Sequence, residues 1–129
     1  MRQTLGSLAV GFGVLCLAAP IAAHHSWPVE YDGTKPVTVK GVVTKVEWTN
    51  PHTHFYLDST DEKGSVTSWN FEMASTVALE RGGWSRKALP VGTQLTITGF
   101  EGRAVKTRAI ASSMTTADGK ELFVQKLGN

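Results

Sequence analysis

Short runs of alternating apolar and polar residues, separated by turn-forming residues, cover most of the chain. In residues 52–58, Phe55 and Leu57 share the strand face expected to meet the core, and the polar residues share the opposite face. Residues 66–73 alternate in the same way. Such runs of Val, Thr, Trp and Phe, punctuated by Gly, Asp and Pro, are typical of β-strands. The pattern predicts a mostly β protein in which these two strands form a hairpin with a polar outer face.

A long first strand is predicted over residues 37–48. Val37 and Val39, before Gly41, are odd-numbered, whereas Val46 and Trp48, at the end of the strand, are even-numbered. A change of phase beside a glycine is typical of a bulge or a sharp bend. We therefore expect a bent strand that contributes to two parts of the sheet.

The rest of the chain adds one short helix and further strands. Residues 75–81 have helical spacing, with Ser75 placed to begin the helix and two glycines placed to end it. Strands are then predicted over residues 95–100 and 105–114, and a last hairpin leads into residues 122–124. Three strands, a short helix between strands 3 and 4, and two more strands are the order of a small five-stranded Greek-key barrel of the OB type. A small β-sandwich is the alternative.

Residues 1–23 have the character of a signal peptide. Arg2 gives a short positive start, residues 8–19 form an uncharged apolar run, and Ala22 and Ala23 offer small residues at a cleavage point. The run is too short for a membrane span, which needs about 20 apolar residues. We therefore expect an exported protein, periplasmic or secreted, with no transmembrane span in the mature chain. Residues 24–129 would form a single OB-like domain.

Charge and cysteine content narrow the expected partners. The chain of 129 residues has 13 Lys and Arg against 11 Asp and Glu, and Arg2 lies in the signal segment, so the mature chain is close to neutral. Binding to nucleic acid is disfavoured, because such proteins normally carry a basic excess. The one cysteine, Cys16, also lies in the signal segment. The mature domain would therefore depend on its hydrophobic core and on no disulfide.

The four histidines form two pairs, His24 with His25 and His52 with His54. Cleavage after Ala23 would make His24 the first residue, whose α-amine and imidazole can chelate a metal together. Nitrogen ligands of this kind favour Cu(II) among the divalent first-row metals. His52 and His54, about 7 Å apart on one strand face, can supply a further nitrogen. The histidines therefore indicate a copper site, and the alternative is a mobile terminus with two solvent-facing strand histidines.

Other polar and aromatic residues are candidate neighbours of this site. Tyr56 and Glu72 would lie near the strand histidines if strands 2 and 3 pair as predicted, and Trp27 could cover the histidines. Trp48 is a candidate for a ligand face, although core packing is the favoured interpretation of Trp48 and Trp69. The sequence has no readable nucleophile and base pattern, paired carboxylates or phosphate loop, so an enzyme is disfavoured.

Several motifs, taken in order, resemble one family of small exported bacterial proteins. They are AHHS at residues 23–26, KPVTVKG at 35–41, VEWTNPH at 46–52, WNFE at 69–72 and RGGW at 81–84. Together they resemble the family known as domain of unknown function 6152, over nearly the whole mature chain. The resemblance implies an exported, periplasm-type protein and names no reaction. Its histidine motifs match His24, His25 and His52 but not His54, which favours His52 as the internal ligand.

The sequence leaves two classes of function open. The first is a periplasmic protein that binds a transition metal such as copper, for storage, delivery or sensing. The second is a metal-free OB-type module that binds a peptide, a glycan or a partner protein through the outer face of strands 2 and 3. An oxidative copper enzyme is a third interpretation, but the sequence indicates no substrate cleft.

Overall fold

A computed structural model describes residues 27–127, which form six strands and two short helices. In chain order these elements are α1 (Trp27–Glu30), β1 (Tyr31–Glu47), β2 (His54–Thr60), β3 (Val66–Glu72), α2 (Thr76–Arg81), β4 (Gln94–Gly102), β5 (Arg108–Thr116) and β6 (Glu121–Val124). The sheet has the order β3-β2-β1-β4-β5-β6, and a parallel pairing of β3 with β5 closes it. This closed Greek-key arrangement confirms the predicted OB-type fold class.

The first strand is bent, but its bulge lies further along than predicted. β1 begins at Tyr31, and its register with β2 shifts between Val43 and Lys45, not beside Gly41. Gly41 has another role, because a Cβ atom there would lie 2.3 Å from the carbonyl oxygen of Asp58. The glycine allows β2 to approach β1 closely. The first half of β1 pairs with β4 and the second half with β2, as expected of a bent strand.

Two elements near the C-terminus differ from the prediction. β5 begins at Arg108 and not at residue 105, because the Arg108 N–H closes a turn with the Val105 carbonyl oxygen at 3.1 Å. Glu121–Val124 pairs with β5 and becomes a sixth strand, so the predicted number of five is one too few. The helix prediction is confirmed, since the Ser75 hydroxyl accepts a hydrogen bond from the first turn of α2 at 3.2 Å.

The core lies inside the barrel, where the predicted inward faces of β2 and β3 meet. Phe55, Leu57 and Phe71 are completely buried, and the rings of Phe55 and Phe71 stack with centroids 5.5 Å apart. Strands β1, β4 and β5 complete this core with Val39, Val43, Leu95, Ile97, Ala109, Ala111 and Met114. Trp48 and Trp69 are partly buried against it, as the favoured interpretation expected. No helix within residues 27–127 is long and apolar enough to cross a membrane.

Candidate functional site

Glu72, at the end of β3, is a buried carboxylate with three polar neighbours. Its strand face was expected to be polar and exposed, yet Glu72 is only 5% exposed. One carboxylate oxygen, Oε2, accepts hydrogen bonds from the Tyr31 hydroxyl at 2.5 Å and from Arg108 Nη2 at 2.7 Å. The other oxygen, Oε1, lies 2.7 Å from His52 Nδ1. These contacts fix the carboxylate in one position, since a buried charge needs this degree of pairing.

Arg108 and Tyr31 form the fixed side of this cluster. Arg108 Nη2 also binds Glu30 Oε2 at 3.0 Å, and its guanidinium carbon lies 5.4 Å from the centre of the Tyr31 ring. Burial works to lower the pKa of Arg108, but its hydrogen bond to Glu72 and the surrounding acidic groups hold that pKa above its ordinary value. Burial and donation to Glu72 both raise the pKa of Tyr31. Tyr31 is therefore a neutral donor beside a permanent cation.

His52 lies between β1 and β2 and is the exposed member of the cluster. Its side chain is 48% exposed, whereas that of Glu72 is 6% exposed. In the neutral form, donation of the Nδ1 proton to Glu72 leaves Nε2 with a free lone pair. Metal-binding histidines usually have this arrangement, in which a carboxylate holds one ring nitrogen and the metal takes the other.

A cavity of about 220 Å³ lies beside His52 and Glu72. Trp27 and Tyr31 line one part of it, and Ile110 and the C-terminal residues 125–127 line another. Trp27 therefore borders the same cavity as His52.

The segment that precedes β1 is held firmly against the barrel. The Trp27 ring stacks on Phe100 with centroids 5.5 Å apart. Arg103 Nε donates to the Pro28 carbonyl oxygen at 3.0 Å, and the Arg103 backbone N–H donates to the Glu30 carbonyl oxygen at 2.9 Å. These contacts hold α1 beside the cavity, although α1 is a single turn and too short to be stable alone.

His54 and Tyr56 belong to a separate set of contacts, here called the outer-face network, made of Lys45, Glu47, His54, Tyr56 and Asn70. His54 Nδ1 lies 3.0 Å from Asn70 Oδ1, and the Tyr56 hydroxyl donates to Glu47 Oε2 at 3.2 Å. Lys45 Nζ binds the other Glu47 oxygen at 2.5 Å, and this hydrogen bond lowers the pKa of Glu47. Within this network the hydrogen-bond partner of His54 is the Asn70 amide, whereas His52 contacts a carboxylate.

The structure thus brings some of the predicted site residues together and separates others. His52, Glu72 and Trp27 share one cavity, whereas Trp48 packs against the core. His24 and His25 lie outside the described residues. Within residues 27–127, no group of three or more His, Cys, Asp or Glu side chains is placed to hold a metal ion.

The sequence analysis did not identify the residues that hold Glu72. Tyr31 and Arg108 stand 41 and 36 residues from Glu72 along the chain, so their spacing carries no signal. The burial of Glu72 likewise depends on the fold, because the start of β1 and the start of β5 come together next to β3 only when the barrel closes.

Two solved structures are similar to the barrel. The N-terminal domain of the PriB protein from Thermoanaerobacter tencongensis, described as dimeric, is 19% identical, with a TM-score of 0.48, over 65% of this chain and 97% of that one. The mitochondrial single-stranded DNA-binding protein Rim1 from S. cerevisiae is 6% identical, with a TM-score of 0.48, over 67% of this chain and 97% of that one. No curated protein matches the chain significantly.

A match to a family model assigns the chain to a protein family. Residues 10–111 match the model of DUF6152, which is described as a family of unknown function. The match covers most of the chain and includes His24, His25, His52 and Glu72. The resemblance seen in the sequence motifs is therefore confirmed, and the chain belongs to the DUF6152 family.

Proposed function

We propose that this protein is an exported metal-binding protein that holds Cu(II) with His52 and its N-terminal histidines. The observation that carries the proposal is the contact of 2.7 Å between His52 Nδ1 and the buried Glu72 carboxylate. Because Tyr31 and Arg108 hold Glu72, the imidazole ring of His52 is oriented before any metal arrives. Its Nε2 atom is the available ligand.

The short separation in sequence between Trp27 and the N-terminal histidines supports their participation. His25 precedes Trp27 by two residues and His24 by three. Since a residue spans at most about 3.6 Å, segments of two and three residues reach at most about 7 and 11 Å. Trp27 borders the cavity beside His52. We infer that so short a segment lets the α-amine and imidazole of His24 reach the metal that His52 binds, with His25 as a further nitrogen.

The donor set fits copper in its chemistry. Imidazole and amine nitrogens are ligands that suit Cu(II). Glu72 already accepts from Tyr31 and Arg108, so its role is to hold His52 and not to bind the metal itself. On this proposal the bound copper would be stored, delivered or sensed.

We expect mature protein that begins at His24 to bind one Cu(II) ion. The variant His52→Ala should bind it at least about tenfold more weakly, which is the usual size of the effect when a residue of a metal site is lost. The variant loses the internal nitrogen but keeps the N-terminal chelate. Competition titration against a copper chelator measures the affinity, and electron paramagnetic resonance counts the nitrogens.

Two further proteins serve as comparisons for this titration. His54→Ala should leave the affinity within about twofold, because His54 belongs to the outer-face network and contacts Asn70. One glycine added before His24 should weaken binding, since the α-amine is then separated from the His24 side chain. Equal affinity in all four proteins would refute the proposal, and a loss in His54→Ala as large as that in His52→Ala would refute the choice of His52.

The N-terminal chelate depends on where the chain is cut during export. When the full chain is produced in a Gram-negative host, we expect the periplasmic protein to have the mass of residues 24–129. Intact-mass spectrometry of the periplasmic fraction measures this directly. Recovery of the uncut chain from the cytoplasm, or a mature protein that starts after His24, would contradict the proposed site.

A further inference from the structure

The first half of β1 has an edge without a strand partner. β1 pairs with β4 from Pro36 to Val42, but its pairing with β2 begins only at Val42, opposite Asp58. Beyond Asp58, β2 continues to Thr60 and pairs with β3 alone. In the part of the chain that the structure describes, residues 36–41 therefore have a strand on one side only.

The alternation of backbone groups identifies which atoms face the open side. The Val43 N–H donates to the Thr93 carbonyl oxygen at 2.9 Å, so odd-numbered residues of β1 direct their backbone groups towards β4. The N–H and C=O groups of Thr38 and Lys40 consequently point away from β4, and no backbone bond between residues 27 and 127 uses them. We call these four groups the open edge. Pro36 is also even-numbered, so its backbone nitrogen points away from β4. The N–H that proline lacks is therefore not needed for pairing with β4.

A groove of about 570 Å³ runs along the open edge. Val39 and Trp69 line it from the inward faces of β1 and β3, and residues 58–60 of β2 line the opposite wall. Trp69 is partly buried and stacks on Phe71, with centroids 5.9 Å apart, so it offers a fixed aromatic surface. The groove shares no lining residue with the cavity beside His52.

The chemistry of the groove suits an extended polypeptide. Unpaired backbone donors and acceptors that alternate along a strand match the backbone of another extended chain. The groove has an apolar surface for a side chain, from Val39 and Trp69, and its two charged residues, Lys40 and Asp58, have opposite signs. We propose that an extended segment of a partner polypeptide adds to the open edge as a strand and places an apolar side chain against Val39 and Trp69.

Amide hydrogen exchange in the free protein is the first test. The Thr38 and Lys40 amides should exchange faster than those of Val37 and Val39, which bond to β4. Equal protection of all four amides would mean that the edge is already covered, and would overturn the proposal.

A random heptapeptide display library is the binding probe. We expect the enriched peptides to carry apolar residues at alternate positions, and the best of them, once synthesised, to slow exchange at Thr38 and Lys40. N-methylation of its edge-facing amides should weaken binding at least about fivefold, since each lost hydrogen bond is worth about that much. Failure to enrich any peptide, or a bound peptide that leaves exchange at Thr38 and Lys40 unchanged, would overturn the proposal.

The protein itself offers a matched pair of variants. Lys40→Pro removes one N–H that points away from β4, at an even-numbered position of β1 like that of Pro36. It should weaken binding of the peptide at least about fivefold. Lys40→Ala keeps the N–H and should bind within about twofold of the unchanged protein. Equal peptide binding by both variants would overturn the proposed strand pairing. Protection of the Thr38 and Lys40 amides by a glycan, chitohexaose, or by a single-stranded DNA, oligothymidylate, would also overturn it. His52→Ala should leave peptide binding unchanged, so this test is independent of the copper proposal.

Discussion

Replacing Gly99 with alanine is expected to lower the free energy of unfolding by about 3 kcal/mol, at the upper end of the usual cost of overpacking. A Cβ atom at Gly99 would lie 2.1 Å from the carbonyl oxygen of Ile110 and 3.0 Å from its carbonyl carbon. Both are backbone atoms of β5, so the clash cannot be relieved by a side-chain rotation. The register of β4 with β5 shifts between Thr98 and Gly99, at this same approach. Urea denaturation followed by tryptophan fluorescence measures the change.

Gly64→Ala is the control variant, because it distinguishes the cost of a steric clash from the cost of an unfavourable backbone conformation. A Cβ atom at Gly64 would meet no other atom within 4 Å, but its φ of +82° is unfavourable for alanine. Its expected cost is roughly 1 kcal/mol, from conformation alone. If Gly99→Ala costs no more than Gly64→Ala, then β4 and β5 are not as close at Gly99 as the structure has them.

The sequence predicted the features of the fold that depend on local signals, and it failed for those that depend on contacts between distant strands. Alternation placed Phe55 and Leu57 in the core correctly, and Ser75 marked the start of α2, because both signals are local. The bulge in β1 was expected beside Gly41, but Gly41 is required by the approach of β2, which depends on tertiary structure. β6 has only four residues, so its pattern could not distinguish a paired strand from a hairpin end.

The candidate site was predictable in a similar, partial way. The family motifs singled out His52, and the predicted pairing of strands 2 and 3 placed Glu72 near the strand histidines. The structure joins His52 and Glu72. Alternation also placed Glu72 on an exposed face, which is wrong, because Tyr31 and Arg108 from distant strands pack over it. Alternation describes one strand at a time, whereas burial of the outer face arises from the closure of the barrel. The roles of His24 and His25 stay predictions.

The second large effect concerns this buried carboxylate. Glu72→Ala is expected to lower the free energy of unfolding by about 3 kcal/mol, the usual cost of breaking one side of a buried ion pair. The variant leaves the Tyr31 hydroxyl buried without its acceptor and removes one of the two carboxylates that pair with Arg108. Chemical denaturation at neutral pH measures the loss. Glu72→Gln, which keeps the shape but not the charge, should lose less, because the amide oxygen can still accept from Tyr31.

Glu30 provides the control, because it binds the same nitrogen of Arg108 from a more exposed position. The Glu30 side chain is 38% exposed and that of Glu72 is 6% exposed, at distances from Arg108 Nη2 of 3.0 and 2.7 Å. Glu30→Gln should therefore cost at most about 1 kcal/mol, as exposed ion pairs do. Comparable losses in Glu30→Gln and Glu72→Ala would show that Arg108 needs only a nearby negative charge. A loss about three times larger in Glu72→Ala would show that the buried carboxylate contributes more to stability than the more exposed one.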